Sequence, residues 1–236
     1  MTVEFKIWKM EELVEPGFAS AAVDAIELLD SQIDTNLTAE VMSPDIPTSY
    51  RSDFGKFIED DMVPHVVENE GCPADNECHI GIVNTIKLGA GYTLGPVKQK
   101  GNPFQTHPDC NSSEAGAAGV NTYAALGGTP TYPGGDDNFE VTVIHNAIHA
   151  LTADDIDTPS DDCSQDHSQD HSLGEINSSS HVSPAQIWYT TAVLSGNLPP
   201  CDNCSGNPEK PAGGSTTEIS SCTKDAIAYS SDKLGY

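Results

Sequence analysis

Hydrophobic residues at the start of the chain first alternate with polar ones and then recur at helical spacing. The alternating positions are Val3, Phe5 and Ile7. This period of two predicts a short strand. The positions spaced by three and four residues are Phe18, Ala22, Ile26, Leu29 and Ile33. This spacing predicts an amphipathic helix of about four turns.

Shorter elements are predicted in the middle of the chain. Apolar residues at helical spacing predict a second helix over residues 54–62, which we expect Pro64 to end, because proline lacks the N–H that a helix interior needs. The β-branched residues of 79–86 predict a strand. Residues 88–121 are rich in Gly, Pro and Ser and predict long loops, and a further strand is predicted over residues 121–126.

A third helix has the most complete set of signals and covers residues 139–151. Asp137 is a favourable N-cap residue, and Glu140 follows three residues later, as in a capping box. The segment is apolar on nearly all sides, which is typical of a buried helix. We therefore predict a helix in the interior of the protein.

The last third of the chain is polar and irregular. Residues 152–182 contain a tandem repeat in which Ser-Gln-Asp-His occurs twice. Ser183 followed by Pro184 is a typical helix start and predicts a helix to about residue 194. A final helix is predicted over residues 223–230.

These elements predict an α+β fold in a single domain that spans residues 1–236. Residues 1–151 are expected to hold a small mixed sheet and the buried helix. Residues 152–236 are expected to form a loop-rich subdomain held together by disulfides, because little apolar material is available there for a core.

The chain is strongly acidic, which limits its partners. Its 36 Asp and Glu residues outnumber its 10 Lys and Arg residues, and the formal charge is -26. Such a surface repels phosphate groups, so nucleic acids and anionic membranes are excluded as partners. Dispersed carboxylates also keep a protein hydrated in concentrated salt, where ions screen the self-repulsion. We therefore expect a halophilic source, with an ordinary secreted acidic protein as the alternative.

Seven cysteines indicate an oxidising compartment. Cys72 and Cys78 flank a turn-rich segment and are expected to form a local disulfide. Cys222 is expected to pair with Cys204 or, failing that, with Cys201. Four Asn-x-Ser/Thr sequons agree with export, at Asn36, Asn111, Asn177 and Asn203. We expect an extracellular protein whose leader is absent from this chain, because the chain begins with a strand-like alternation.

The predicted buried helix carries His145 and His149. Residues four apart lie on the same face of a helix, so both imidazoles can reach one point. Two neutral imidazoles at this spacing are typical of one half of a zinc site. The alternative is a pair of core histidines that are satisfied by hydrogen bonds. We favour the zinc site, because the other faces of this helix are apolar.

Three residues compete to be the third zinc ligand, with water in the fourth position: His171, His167 and Asp155. We favour His171, because the 21 residues that separate it from His149 form a loop long enough to return to the helix. His167 owes its spacing to the tandem repeat. Asp155 lies in an acidic run that is typical of a solvated surface.

The strand, the edge segment and the buried helix with His-x-x-x-His resemble the zincin metallopeptidases. The resemblance is close over residues 138–151 and loose over residues 3–151. The Asp-His-Ser-Leu-Gly segment and the C-terminal cysteines are similar to those of uncharacterised secreted zincin-like proteins of salt-loving archaea. The resemblance implies a zincin-like fold, a zinc cofactor and a protein or peptide substrate.

The sequence departs from the zincin pattern in its catalytic residues. Zincins carry a glutamate directly after the first histidine as the general base, and here that position is Asn146. An amide cannot take a proton from water near neutral pH. The glycine of the metzincin branch is replaced by Thr152, and no methionine follows Met62. Glu175 is a candidate substitute base.

The sequence therefore predicts a zinc-binding protein with a zincin fold, a secreted metallopeptidase whose activity is reduced or lost. The alternative is an acidic, disulfide-stapled extracellular protein with a binding or structural role and no catalytic activity.

Overall fold

A computed structural model of the chain describes residues 2–11, 14, 16–47, 53–84, 91–94, 97–98, 102–122, 138–152, 217–219 and 221–236. The strands are β1 (Thr2–Lys9), β2 (Asn36–Val41), β3 (Glu77–Val83), β4 (Gly91–Leu94) and β5 (Gly116–Asn121). The helices are α1 (Pro16–Asp30), α2 (Phe54–Lys56), α3 (Val63–Glu70), α4 (Asn138–Leu151) and α5 (Ser221–Leu234). A π-helical segment, Phe57–Met62, joins α2 to α3, and a 3₁₀ helix covers Pro103–Thr106.

The strands just named form one sheet in the order β2–β1–β3–β5–β4. Neighbouring strands are parallel, except that β4 runs antiparallel to β5 at one edge. Strands β3 and β5 are almost wholly buried, because helices cover both faces of the sheet. The described residues therefore form a mixed α/β fold with a small, mainly parallel sheet.

Helices α1 and α4 pack together on one face of this sheet. Phe18 of α1 contacts Phe139 of α4, with ring centroids 5.0 Å apart. Thr93 of β4 is paired with Ala118 of β5 and donates a hydrogen bond to α4. Paired residues of antiparallel strands point to the same side, so α4 covers the face that carries Ala118. Residues 141–148 are all buried, which confirms the prediction of an interior helix.

The opposite face of the sheet is covered by α2, the π-helical segment and α3. Gly81 of β3 and Gly119 of β5 are partners in the strand register. A Cβ atom on Gly119 would lie 2.4 Å from Cδ1 of Phe54, and one on Gly81 would lie 2.7 Å from Sδ of Met62. The two glycines therefore allow these large side chains to pack directly on the sheet backbone.

Several sequence-based elements are confirmed. The first strand is β1, the first helix is α1 and the final helix is α5, which is longer than predicted at both ends. The strand predicted over residues 79–86 is β3, which ends at Val83. Strand β2 was not predicted, because only one of its residues, Leu37, is buried.

Pro64 does not end the second helix, contrary to the expectation. The chain continues as α3 to Glu70. The Val63 N–H bonds to the Ile58 carbonyl, which is the wider spacing of a π-helix. Pro64 thus lies in the first turn of α3, where the N–H that proline lacks has no role in the helix.

The prediction of long loops over residues 88–121 is wrong. This range contains β4, the 3₁₀ helix and β5. Strand β5 reads Gly-Ala-Ala-Gly-Val-Asn and is buried throughout, so its small residues reflect close packing against helices on both faces rather than a loop. The strand predicted over residues 121–126 lies earlier, since β5 ends at Asn121, and residues 123–126 are outside the described part.

The expected Cys72–Cys78 disulfide is also wrong, because Cys72 pairs with Cys110, with an S–S distance of 2.13 Å. Cys78 is a free, fully buried thiol in β3. Burial raises the pKa of this thiol, so it stays protonated. A side chain that points from a central strand into the core cannot reach the surface turn that holds Cys72.

Other expectations fall outside the described part of the chain. These are the tandem repeat, the helix over residues 183–194 and the pairing of Cys222 with Cys204 or Cys201. The division at residue 151 into two subdomains likewise stays a prediction. Among the described residues, no helix combines the length and apolar character that a membrane crossing needs.

Candidate metal centre

Helix α4 places the two candidate ligands beside the edge of the sheet that β4 forms. The Thr93 hydroxyl lies 3.2 Å from the backbone oxygen of Asn146, and the Val97 N–H donates to the backbone oxygen of Ala150 at 3.0 Å. Thr93 and Val97 are therefore ordered along α4 in the same direction as Asn146 and Ala150. His145, directly before Asn146, is only 3% exposed, whereas His149 is half-buried.

The imidazoles of His145 and His149 face each other. Their Nε2 atoms lie 3.1 Å apart, and the ring centroids lie 4.6 Å apart with an interplanar angle of 82°. A zinc ion binds imidazole nitrogens at about 2.0–2.1 Å with tetrahedral angles, which places two such nitrogens roughly 3.3 Å apart. The observed Nε2 separation is within about 0.2 Å of that value. The pair therefore fits two positions around one zinc ion.

The contact between the two Nε2 atoms also limits the protonation states of His145 and His149. When the Nε2 atoms share a hydrogen bond, one donates and the other accepts, so at least one of the two rings is neutral. Neutral imidazole is the form that binds a metal ion. The geometry thus holds the pair ready for coordination without a rearrangement of the helix.

Asn146 has both ends of its side-chain amide engaged. Its Nδ2 donates to the Thr142 carbonyl at 2.8 Å, and its Oδ1 accepts from the Thr93 hydroxyl at 3.0 Å. The residue is 2% exposed. The position that a zincin glutamate would occupy therefore holds an amide that ties α4 to the edge strand.

The described residues supply no third metal ligand beside His145 and His149. That part of the chain contains no group of three His, Cys, Asp or Glu side chains that could hold a metal ion. The candidates His171, His167 and Asp155 lie outside it, as does Glu175. The structure therefore brings His145 and His149 together, and the choice of third ligand stays a prediction.

Contacts from distant segments fix the C-terminal end of α4. The Tyr236 hydroxyl donates to the Leu151 carbonyl, and burial raises the pKa of this tyrosine, which keeps the phenol protonated as a donor. The N–H and the hydroxyl of Thr152 both donate to the Ile148 carbonyl at 2.9 Å. Thr152, at the position of the metzincin glycine, thus extends the helical hydrogen bonding.

A second polar cluster lies on the opposite face of the sheet. Trp8 Nε1 donates to Nδ1 of His79 at 3.0 Å, which leaves the proton of a neutral ring on Nε2, within 3.3 Å of the Glu77 carboxylate. The only hint of it in the sequence is a histidine inside an otherwise apolar strand. Trp8 also contacts the ring of His65 edge-on, with centroids 5.3 Å apart.

The two ionisable groups of this cluster both have shifted pKa values. Burial lowers the pKa of His79, although its hydrogen bond to Glu77 acts in the opposite direction. Burial by itself would raise the pKa of Glu77, but the hydrogen bond with His79 and a backbone hydrogen bond from Ala74 lower it overall. His79 is therefore a neutral core histidine, and its ring nitrogens are already occupied.

Comparison with known proteins gives only loose similarities. No protein-family model matches the chain, and no curated protein matches it. Among solved structures, metalloproteinase-II from Bacteroides fragilis aligns with a TM-score of 0.38 and 16% identity, over 66% of this chain and 43% of that chain. A chain in the structure of a chaperone–substrate complex aligns with a TM-score of 0.45 and 12% identity, over 99% of this chain and 35% of that one. This chain thus spans less than half of either, and neither alignment is close enough to transfer a function.

Proposed function

We propose that this protein binds one zinc ion through His145 and His149, with His171 as the third ligand, and that its capacity for peptide hydrolysis is reduced or lost. The observation that carries the proposal is the 3.1 Å separation of the two Nε2 atoms on a buried helix. Two imidazoles held at this distance satisfy the geometric requirement for a shared ion before any metal arrives.

The residues around the pair support binding more than catalysis. A bound zinc ion supplies Lewis acidity, which polarises a carbonyl group and acidifies water. Hydrolysis by this route also needs a group that accepts a proton from water. Asn146 cannot do so, and its amide already bonds to Thr93 and Thr142. Without a base, the expected loss is about 10²–10⁴-fold in rate.

The edge strand β4, which contacts helix α4 through Thr93 and Asn146, offers a place for a peptide. Within the described part of the chain, β4 pairs with β5 on one side only. An extended peptide can add to a free strand edge through main-chain hydrogen bonds. This location supports a protein or peptide as the ligand or substrate of the site.

The metal content of the purified protein tests the proposal. We expect about one zinc ion per chain after dialysis without chelator, measured by elemental analysis. His145→Ala and His149→Ala should each lower zinc affinity by more than the roughly 10–100-fold typical of losing a second-shell partner. His107→Ala is the matched control, because this histidine lies in a turn after the 3₁₀ helix and its Nδ1 accepts from the Asp109 N–H. Unchanged zinc binding in both α4 variants would place the metal elsewhere.

The second candidate function is an acidic, disulfide-stapled extracellular protein without metal. The same Nε2–Nε2 hydrogen bond favours it, because the two histidines can satisfy each other. A protein that stays free of zinc, cobalt and nickel when each is offered in excess would contradict the zinc site and favour this alternative.

A further inference from the structure

Strand β2 starts with a sequon whose acceptor lies on the protein surface. The sequon is Asn36-Leu37-Thr38. Asn36 and Thr38 are both exposed, and Leu37 between them is 93% covered, with 7% of its surface exposed. Since alternate residues of a strand point to opposite sides, a group attached to Asn36 extends into solvent without disturbing the core.

The disulfide supplies an independent observation. Cys72–Cys110 joins two surface segments, and such bonds form and persist in oxidising compartments. N-glycosylation requires export across the same membrane. The second sequon, at Asn111, directly follows Cys110, and Asn111 is exposed as well. The sequons at Asn177 and Asn203 lie outside the described residues.

The position of Asn36 in the sheet indicates what a glycan would do there. Among the strands that the structure describes, β2 is the outer strand opposite β4, and it pairs with β1 on one side. The Leu37 N–H is bonded to the Asp30 carboxylate at 2.6 Å, so the odd-numbered residues of β2 direct their amides away from β1. By this alternation, the amides of Ala39 and Val41 face outward too. An outward row of amides is a template for pairing with another chain.

Exposed apolar side chains near this edge also favour pairing with another copy of the chain. The two large hydrophobic residues that are exposed in the described part of the chain are Leu28, at 39%, and Val41, at 47%. Val41 ends β2, and Leu28 lies two residues before Asp30, which is tied to the start of β2. Between Asn36 and Val41 the strand has no Pro, and its one charged side chain, that of Glu40, is neutralised by an ion pair with Lys6 of β1.

We propose that Asn36 is N-glycosylated and that the glycan shields the β2 edge against pairing between copies of the chain. In this modification the Asn36 Nδ2 forms a bond to the anomeric carbon of the first sugar. The donor is a lipid-phosphate-linked oligosaccharide, whose carbon–oxygen bond to the phosphate breaks, and the lipid phosphate leaves with the electron pair. The amide loses one proton to the membrane transferase. The proposal does not depend on zinc binding.

The first test is peptide mass spectrometry of the full chain isolated from its natural source. Enzymatic release of the glycan in heavy-oxygen water converts a glycosylated Asn36 to a labelled Asp. We expect the label at Asn36. A peptide with unlabelled, unmodified Asn36 from protein that carries the Cys72–Cys110 bond would overturn the proposal, because that bond shows that the chain reached the oxidising compartment.

The second test addresses the shield. Asn36→Gln and Thr38→Ala each remove the sequon through a different residue, and Asn111→Gln removes the sequon that lies away from the edge. We expect Asn36→Gln and Thr38→Ala to elute as larger species in size-exclusion chromatography. Their shift should equal that of unglycosylated wild type made in a host without the transferase. Asn111→Gln should elute with the glycosylated wild type. Equal elution of all the variants and glycosylated wild type would overturn the shielding role.

Discussion

The hydroxyl of Thr93 lies 3.0 Å from Oδ1 of Asn146 and donates a hydrogen bond that joins the edge strand β4 to helix α4. The residue at 146 follows the first candidate metal ligand, so the strand that borders the site and the helix that carries it are held together at one point. This use of Asn146 is structural, because both ends of its amide are bonded to other parts of the protein.

Removal of this hydrogen bond should lower stability. Thr93→Val keeps the shape of the side chain but leaves the buried Oδ1 of Asn146 without its donor, at an expected cost of about 1–2 kcal/mol in the free energy of unfolding. Chemical denaturation measures the change. Thr93→Ser retains the hydroxyl and serves as the control, so a loss of the same size in Thr93→Ser would assign the effect to packing instead.

Asn146→Glu should restore a general base. The carboxylate can still accept a hydrogen bond from Thr93, but it cannot donate to the Thr142 carbonyl as the amide does. Repulsion between the two oxygens therefore moves the carboxylate away from Thr142. We expect cleavage of a labelled unfolded protein to rise by about 10²-fold, the low end of what a general base contributes, with unchanged zinc content. Asn146→Gln, which has the same length without the charge, should stay at the wild-type rate. Rapid cleavage by the wild type itself would show that another group, such as Glu175, is the base.

Gly119→Ala should destabilise the protein through overpacking. The new Cβ would meet Cδ1 of Phe54 at 2.4 Å and Cε1 at 2.6 Å, so the ring or the strand must move. We expect a loss of about 1–3 kcal/mol in the free energy of unfolding. Gly17→Ala is the matched control in α1, where no atom lies within 4 Å of an added Cβ. That substitution should be neutral or stabilising, because alanine has a higher helix propensity than glycine.

Acid should weaken the fold through the cluster of Trp8, His79 and Glu77. The folded-state pKa values of His79 and Glu77 are both lowered, so the folded protein binds fewer protons than the unfolded chain. The contribution of His79 is fully present above the unfolded histidine pKa of about 6.5 and is lost as the pH falls toward its folded value. A protonated His79 cannot accept from the Trp8 indole. The unfolding midpoint should therefore fall between about pH 7 and about pH 5.

Two substitutions separate the effect of His79 on the pH dependence of stability from that of other histidines. His79→Gln can still accept from Trp8 and donate to Glu77, but it does not titrate. Its unfolding midpoint should change less over the same pH range than that of the wild type. His107→Gln, in the turn after the 3₁₀ helix, should keep the wild-type pH dependence. Charges that also act on His79 are those of Glu70, which raises its pKa, and Lys6, which lowers it.

Local sequence patterns were sufficient to predict the helices whose apolar residues recur at helical spacing. The spacing from Phe18 to Leu29 predicts α1, because a 3.6-residue period is enough to place those side chains against one surface. The apolar run and the four-residue spacing of His145 and His149 likewise predict α4 and its paired imidazoles. These are properties of one helix, and no partner is needed to infer them.

Other features depend on segments that are distant in the sequence. Strand β5 has the small residues of a loop, and only the tertiary structure explains them, through close packing on both faces that includes the ring of Phe54 against Gly119. The disulfide partner of Cys72 is 38 residues away, because the sheet directs the nearby Cys78 into the core.

For the candidate site, too, some features could be predicted from the sequence and others only from the tertiary structure. The prediction that Asn146 stands where the zincin resemblance expects a base came from the sequence, since it concerns residue type and position alone. Only the tertiary structure decided that its amide joins α4 to Thr93, and that the Nε2 atoms of the two histidines lie 3.1 Å apart. A helical period determines which face side chains share, whereas the packing of neighbouring segments determines rotamers and hydrogen-bond partners.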